Sequence, residues 1–188
     1  LIPKKILDQL VLDISQKKND RLEITATIGC AMMCDYCPQT LIKSVTRKGN
    51  LKKKMEFEDL KRFIKNVPKT THIHWTGYSE PLAHEDFDKF AIYLKDEGYR
   101  QLISTTMFGR RSTEKFMTEF NDFTSVTFHL PDNNNLMKLK VSDQYMITLE
   151  KAVRFQVKAG KKNVYYLTFG ENFHPRISEL IKKLSNEN

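Results

Sequence analysis

Apolar residues recur along the 188-residue chain with two alternating periods, and the switches between them set an order of elements. Ile6, Leu7, Leu10, Val11 and Ile14 fall on one stripe at helical spacing, so residues 4–15 are predicted to form a leading amphipathic helix within the opening segment 1–18. Residues 23–28 (EITATI) are rich in β-prone side chains and stop at Gly29, which is a strand signal. Helical spacing returns over 55–66, residues 71–76 (THIHWT) read as a second strand ending at Gly77, and 84–97 read as a helix closed by Gly98. A third strand over 100–106 precedes a helix over 112–120, for which Ser112 is the cap. The fourth strand, 125–130, is followed by a helix over 142–159 that Gly160 ends. The fifth, 163–169 (NVYYLTF), leads into a last helix over 175–184 that starts at Pro175.

Strands alternating with helices of this length imply right-handed βαβ units and a parallel sheet, so the predicted fold class is α/β. Ligand chemistry in such sheets belongs at the carboxyl ends of the strands. Cys30, Gly77, Thr106, His129 and Asp132 all fall at or just past predicted strand ends, on one expected active face.

Composition narrows the picture. With 40% hydrophobic residues, 188 residues support one core, and a single domain over 1–188 is expected. Gly and Pro are scarce and no segment repeats. No apolar run approaches the roughly 20 residues of a membrane helix, and the opening segment lacks the apolar stretch of a signal peptide, so a cytoplasmic location is expected. The net charge is +8. Its densest part is Lys43, Arg47, Lys48, Lys52, Lys53 and Lys54, read either as a solvated loop or as a docking patch for an acidic protein or a phosphate-bearing substrate. No helix-turn-helix, zinc-finger or RNA-binding signature accompanies the charge, so specific nucleic-acid binding is not expected.

All three cysteines, Cys30, Cys34 and Cys37, lie within one short segment, and an odd number so closely spaced is not a disulfide framework. The CX3CX2C spacing strings three thiolates along a short loop that could wrap three irons of a cubane cluster and leave the fourth iron without a protein ligand. Two plainer readings stand beside it: a zinc site completed by His72, His74, His84 or His129, and buried free cysteines as core filler.

The cysteine segment, with Tyr36 directly before the third cysteine, resembles the signature of the radical S-adenosylmethionine (radical SAM) superfamily. The resemblance implies a [4Fe-4S] cluster on Cys30, Cys34 and Cys37 whose open iron chelates S-adenosylmethionine. An electron then cleaves the sulfonium to a 5′-deoxyadenosyl radical that abstracts hydrogen from a substrate. Gly77, Tyr78, Ser79, Glu80 and Pro81 resemble the family's GGEP-type motif, with Ser79 in place of a glycine; Glu80 is then expected to orient the amino group. Ser104, Thr105, Thr106 and Met107 resemble an STNG strand ending, and 125–130 (SVTFHL) is similar to strands of the form ITISL. Ser104, Thr106, Thr127 and His129 are thereby cofactor candidates, although His129 is equally readable as a satisfied core histidine.

His74, Asp132, Tyr166 and Thr168 are the substrate candidates; for His74 the core reading is the stronger, and Tyr165 and Tyr166 also read as packing residues. The implied fold is a partial (β/α) barrel of five or six parallel strands, open on one side. The implied partner is a flavodoxin- or ferredoxin-like electron donor, and the implied substrate a peptide or small metabolite. An activating enzyme that places a glycyl radical on a partner protein is the alternative within the class. A binding module stapled by zinc or an iron–sulfur site is the alternative outside it. The chain starts at Leu1 and ends soon after the fifth βα unit, which suggests a minimal variant or a portion of something longer. The fifth strand is then an edge that a partner, a substrate or further residues would cover.

Overall fold

A computed structural model of the chain describes residues 20–50, 52–108, 116–117, 119–160 and 163–187. Five short strands, β1 (Arg21–Ile24), β2 (His72–Trp75), β3 (Gln101–Thr105), β4 (Phe123–His129) and β5 (Val164–Leu167), form one sheet in the order β1-β2-β3-β4-β5. Every neighbouring pair is parallel. When spatial order equals sequence order and each crossover is right-handed, all crossovers pass over the same side of the sheet. Among the described residues one face is therefore covered by helices and the other is left open, the arrangement of a partial barrel.

The alternation of strand residues separates these faces. On β2, Ile73 and Trp75 are buried in the hydrophobic core while His72 and His74 point to the open side. Ile24, Ile103, Val126 and Phe128 join Ile73 and Trp75 in the same core, with Leu60, Phe90, Leu149 and Leu180 packing from the helices. The Trp75 indole N–H donates to Gln101 Oε1 at 2.8 Å, and Gln101 Nε2 donates to the Ala91 carbonyl at 2.8 Å. This chain of buried polar groups is satisfied at each step, so it fixes register without a desolvation penalty.

Among the described residues the helices include α1 (Gln39–Lys48), α2 (Phe57–Ile64), α3 (Phe87–Asp96), α4 (Asp143–Lys158) and α5 (Pro175–Asn186), with a 3-10 turn at Pro81–Ala83. Local chemistry sets their starts. Glu56 and Asp59 form a reciprocal capping box on α2. The Ser142 hydroxyl accepts the Tyr145 N–H at 3.2 Å on α4, and Pro175 occupies the first turn of α5.

Three expectations are corrected. The first strand was expected over 23–28, but β1 ends at Ile24. The alternation continues beyond it because residues 26–28 pair with another segment: the Met55 N–H donates to the Ala26 carbonyl at 2.9 Å and the Ile28 N–H to the Lys53 carbonyl at 2.7 Å. Residues 43–54 are not simply a solvated loop, since 43–48 belong to α1, and the buried positions of that helix are the polar Gln39 and Thr46. The fourth strand begins two residues earlier than expected, at Phe123. The leading helix over 4–15 and most of the helix over 112–120 lie outside the described residues. As expected, β5 is an edge of the described sheet, paired only with β4.

Candidate active site

Where β1 ends, the chain leaves the sheet and forms the cysteine loop. The loop is held from two sides. Toward the β4–α4 connection, the Asp35 N–H donates to the Leu136 carbonyl at 2.8 Å and the Cys34 thiol to the Met137 carbonyl at 3.1 Å. On the α1 side, the buried Gln39 accepts the Cys30 N–H at 3.1 Å, while its amide donates to Cys37 Sγ at 3.4 Å and to the Tyr78 carbonyl. A single amide thus ties the first and third cysteines to the loop after β2. Sequence reasoning missed Gln39. The one available signal was Pro38, which ends the cysteine loop and opens a helix.

The loop after β2 presses directly on β1. Gly77 has φ +100, and a Cβ there would stand 1.9 Å from Thr25 Oγ1. Only glycine fits that backbone and that gap. Glu80 follows, 3% exposed. Its Oε1 accepts from Thr105 Oγ1 at 2.7 Å and from the Leu82 N–H at 3.1 Å. Its Oε2 accepts from the Thr106 N–H and from Thr106 Oγ1, both at 2.7 Å. Burial raises the Glu80 pKa, and these four donors oppose the rise by favouring the carboxylate. The end of β3 is held in turn by Tyr145, whose hydroxyl donates to the Thr106 carbonyl at 3.1 Å. Met107 takes φ 60, a left-handed conformation at the position where the STNG pattern has glycine.

These segments enclose a cavity of about 320 Å³ at the carboxyl ends of the strands. Its lining includes Cys30, Cys34 and Cys37 together with Tyr36, Gly77, Tyr78, Ser79, Glu80, Ser104, Thr106, Thr127 and His129, so the structure brings every metal and cofactor candidate to one place. Tyr36, His129 and Phe169 form an aromatic wall, with ring centroids 4.4 Å apart for Tyr36 and Phe169 and 4.5 Å for His129 and Phe169. Burial lowers the His129 pKa to about 4, so its imidazole is neutral at pH 7, and its Nε2 has no hydrogen-bond partner among the described residues. An orphaned buried nitrogen at a cavity wall suits a ligand. Burial also raises the Cys34 thiol pKa; the Tyr36 hydroxyl bonded to it acts the other way, and neighbouring Cys30 and Cys37 add to the rise.

The four substrate candidates do not line this cavity. His74 Nε2 lies 2.9 Å from Ser104 Oγ and borders a separate hollow toward the amino ends of the strands, with Arg21, Ser125 and Tyr165. Asp132 is 2% exposed and accepts the Asn134, Leu136 and Met137 N–H groups at 2.8, 3.0 and 3.2 Å, so its carboxylate is consumed in building the connection that braces the cysteine loop. Tyr166 points to the helix side, near Phe128 and Val153. Thr168 Oγ1 accepts the Gly170 N–H at 3.4 Å.

Among the described residues, no three Cys, His, Asp or Glu side chains converge to hold a single metal ion. A cubane cluster makes no such demand, because each thiolate takes a different iron. Three half-buried free thiols around one cavity fit that group in number, type and access.

An open α/β half-barrel with a thiol loop at the head of its first strand defines a class of enzyme. The chain belongs to the radical SAM superfamily, whose family model matches residues 24–182. No curated protein matches the sequence. Among solved structures, BtrN in complex with AdoMet and 2-DOIA shares the fold with a TM-score of 0.54 at 17% identity, over 81% of this chain and 58% of BtrN. The AdoMet-bound anSMEcpe matches at 0.49 and 20% over 81% of this chain and 42% of its own, and Streptococcus suis SuiB bound to S-adenosylmethionine at 0.42 and 13% over 97% and 48%. The chain thus spans less than two thirds of the length of these solved relatives. Among the described residues, no helix is long and apolar enough to cross a membrane.

Proposed function

We propose that Cys30, Cys34 and Cys37 hold a [4Fe-4S] cluster and that the protein reductively cleaves S-adenosylmethionine, the resulting 5′-deoxyadenosyl radical abstracting hydrogen from a peptide or small metabolite. The observation that carries this reading is the meeting of all three thiols with the 77–80 loop and the ends of β3 and β4 around one cavity. When bound, the cluster supplies the electron and an open iron for the amino and carboxylate groups of the cosubstrate. Gln39 sets the spacing of the cysteine loop, and Glu80 orients the ammonium group. The Thr105 and Thr106 hydroxyls that bond Glu80 are rotors, free to turn as a ligand arrives. Neutral His129 offers Nε2 as a hydrogen-bond partner, and the aromatic wall excludes water from the radical's path.

Anaerobic reconstitution tests this. About four irons and four sulfides per chain are expected, with 5′-deoxyadenosine and methionine formed on reduction with dithionite in the presence of S-adenosylmethionine. One zinc without sulfide would overturn the reading. Cys34→Ala is expected to abolish both iron retention and product, because two thiolates hold a cubane poorly.

A further inference from the structure

The cations of residues 43–54 are not equivalent. Lys52 binds Glu56 at 3.0 Å and Asp59 at 2.6 Å, and Lys54 binds Glu85 at 3.0 Å. Among the described residues, no carboxylate pairs with Lys43, Arg47 or Lys53. Lys43 and Arg47 stand one turn apart on α1 and, with Lys53, face a groove of about 690 Å³ whose other wall is Ile28, Gly29 and Met33. That wall is the outer surface of the cysteine loop. Lys43 Nζ lies 3.5 Å from the Cys30 carbonyl oxygen and 3.1 Å from Met33 Sδ. The lysine stem runs close over Gly29, where a Cβ would be in ordinary contact with Lys43 Cε at 3.4 Å, and the φ of +101 is what favours glycine there. Met33, 43% exposed, lines both this groove and the thiol cavity, so it is the wall between them.

We infer that the groove between α1 and the cysteine loop is the docking surface for an acidic one-electron carrier protein of flavodoxin or ferredoxin type. The inference rests on the function proposed above. Cosubstrate and substrate fill the inner cavity at the moment the electron is needed, so the electron must enter through the other side of the loop. The groove is that side. Its unpaired cations complement an acidic partner and would steer its approach. In the step itself the reduced carrier loses one electron and the cluster gains it; no proton or group crosses the interface.

The test uses the full chain and an acidic flavodoxin as probe. Binding of oxidised flavodoxin is measured by fluorescence anisotropy with both unreconstituted and reconstituted protein. Arg47→Glu/Lys53→Glu is the variant, because these side chains do not touch the cysteine loop as Lys43 does. The variant is expected to weaken binding about tenfold or more, and moving wild type from low salt to about 0.3 M to have a similar effect. Lys182→Glu on α5, a single charge reversal elsewhere on the molecule, is expected to leave affinity unchanged. Dithionite-driven 5′-deoxyadenosine formation should be the same in wild type and in Arg47→Glu/Lys53→Glu, while flavodoxin-driven formation falls. Flavodoxin affinity that ignores the double reversal, or that falls equally in Lys182→Glu, overturns the assignment. So does pyrophosphate binding that the variant loses while flavodoxin affinity stays unchanged, which would make the groove a small-anion site. Failure of wild type to form product with dithionite counts against the proposed function, and is read separately from docking affinity.

Discussion

Trp75 and His74 are neighbours on β2, yet they belong to different environments. Trp75 is 0% exposed, packed edge-on against Phe87 with ring centroids 5.2 Å apart and hydrogen-bonded to Gln101. His74 faces the open side of the sheet, beside Ser104 and 3.7 Å from Glu23. The same division runs across the sheet, with Ile103, Val126 and Phe128 on one face and Ser104, Thr127 and His129 on the other. Stability is concentrated on the helix-covered face, where apolar area leaves water. The open face is thereby free to carry polar groups whose value is chemical.

Paired substitutions at these neighbours are the strongest way to break that comparison. Trp75→Ala removes a large buried ring and leaves Gln101 Oε1 without its donor, and is expected to cost about 3–5 kcal/mol. His74→Ala removes one hydrogen bond at a partly solvated face, and about 1 kcal/mol or less is expected. Denaturant unfolding of the cluster-free protein measures both. Similar losses at the two positions would mean that the open face contributes as much to stability as the covered one.

A smaller effect is expected where the two faces meet at the site. Gly77→Ala combines a left-handed backbone with a Cβ inside the van der Waals radius of Thr25 Oγ1, for an expected loss of about 2–3 kcal/mol. Thr25→Ala removes the clashing hydroxyl but not the backbone strain, so adding it to Gly77→Ala should recover part of the loss. A double-mutant cycle with strictly additive energies would show that the close approach of the loop to β1 is not what demands glycine.

Much of this architecture was legible in the sequence because apolar and polar residues alternate cleanly on β2, β3 and β4. The cysteine spacing and the residues Gly77 to Pro81 stood out for the same reason: each is a local pattern. What stayed hidden depends on partners distant in sequence. In α1 the pattern is inverted, with Gln39 and Thr46 buried and Leu41 and Val45 exposed, so its apolar stripe does not mark the side that packs. The role of Gln39 exists only once three separate segments converge on its amide. Asp132 sits at a strand end, where a carboxylate suggests a ligand, and only the folded turn shows three backbone N–H groups claiming it. Tyr166 was separated from Tyr165 by strand phase alone, which sends one ring to the helices and the other to the open side.

The smallest expected effect sharpens the comparison by pH. Burial without a partner lowers His129 from its ordinary value of 6.5 to about 4. The folded protein therefore binds fewer protons at this residue than the unfolded chain between those values, and the slope of unfolding free energy with pH is positive there. The contribution of neutral His129 is complete above about pH 6.5 and is lost as pH falls toward 4, where both states carry the proton. Discounted for partial exposure, the change is about 1–2 kcal/mol. Burial lowers His74 and His84 as well, so the wild-type profile alone does not isolate this residue. The difference between wild type and His129→Gln does, because the other histidines contribute equally to both proteins. Unfolding measured from pH 7.5 down to pH 4.5 should show wild type losing stability relative to His129→Gln as the pH falls. A difference that stays flat would mean that His129 is solvated or already paired, and that the aromatic wall of the cavity is open to water.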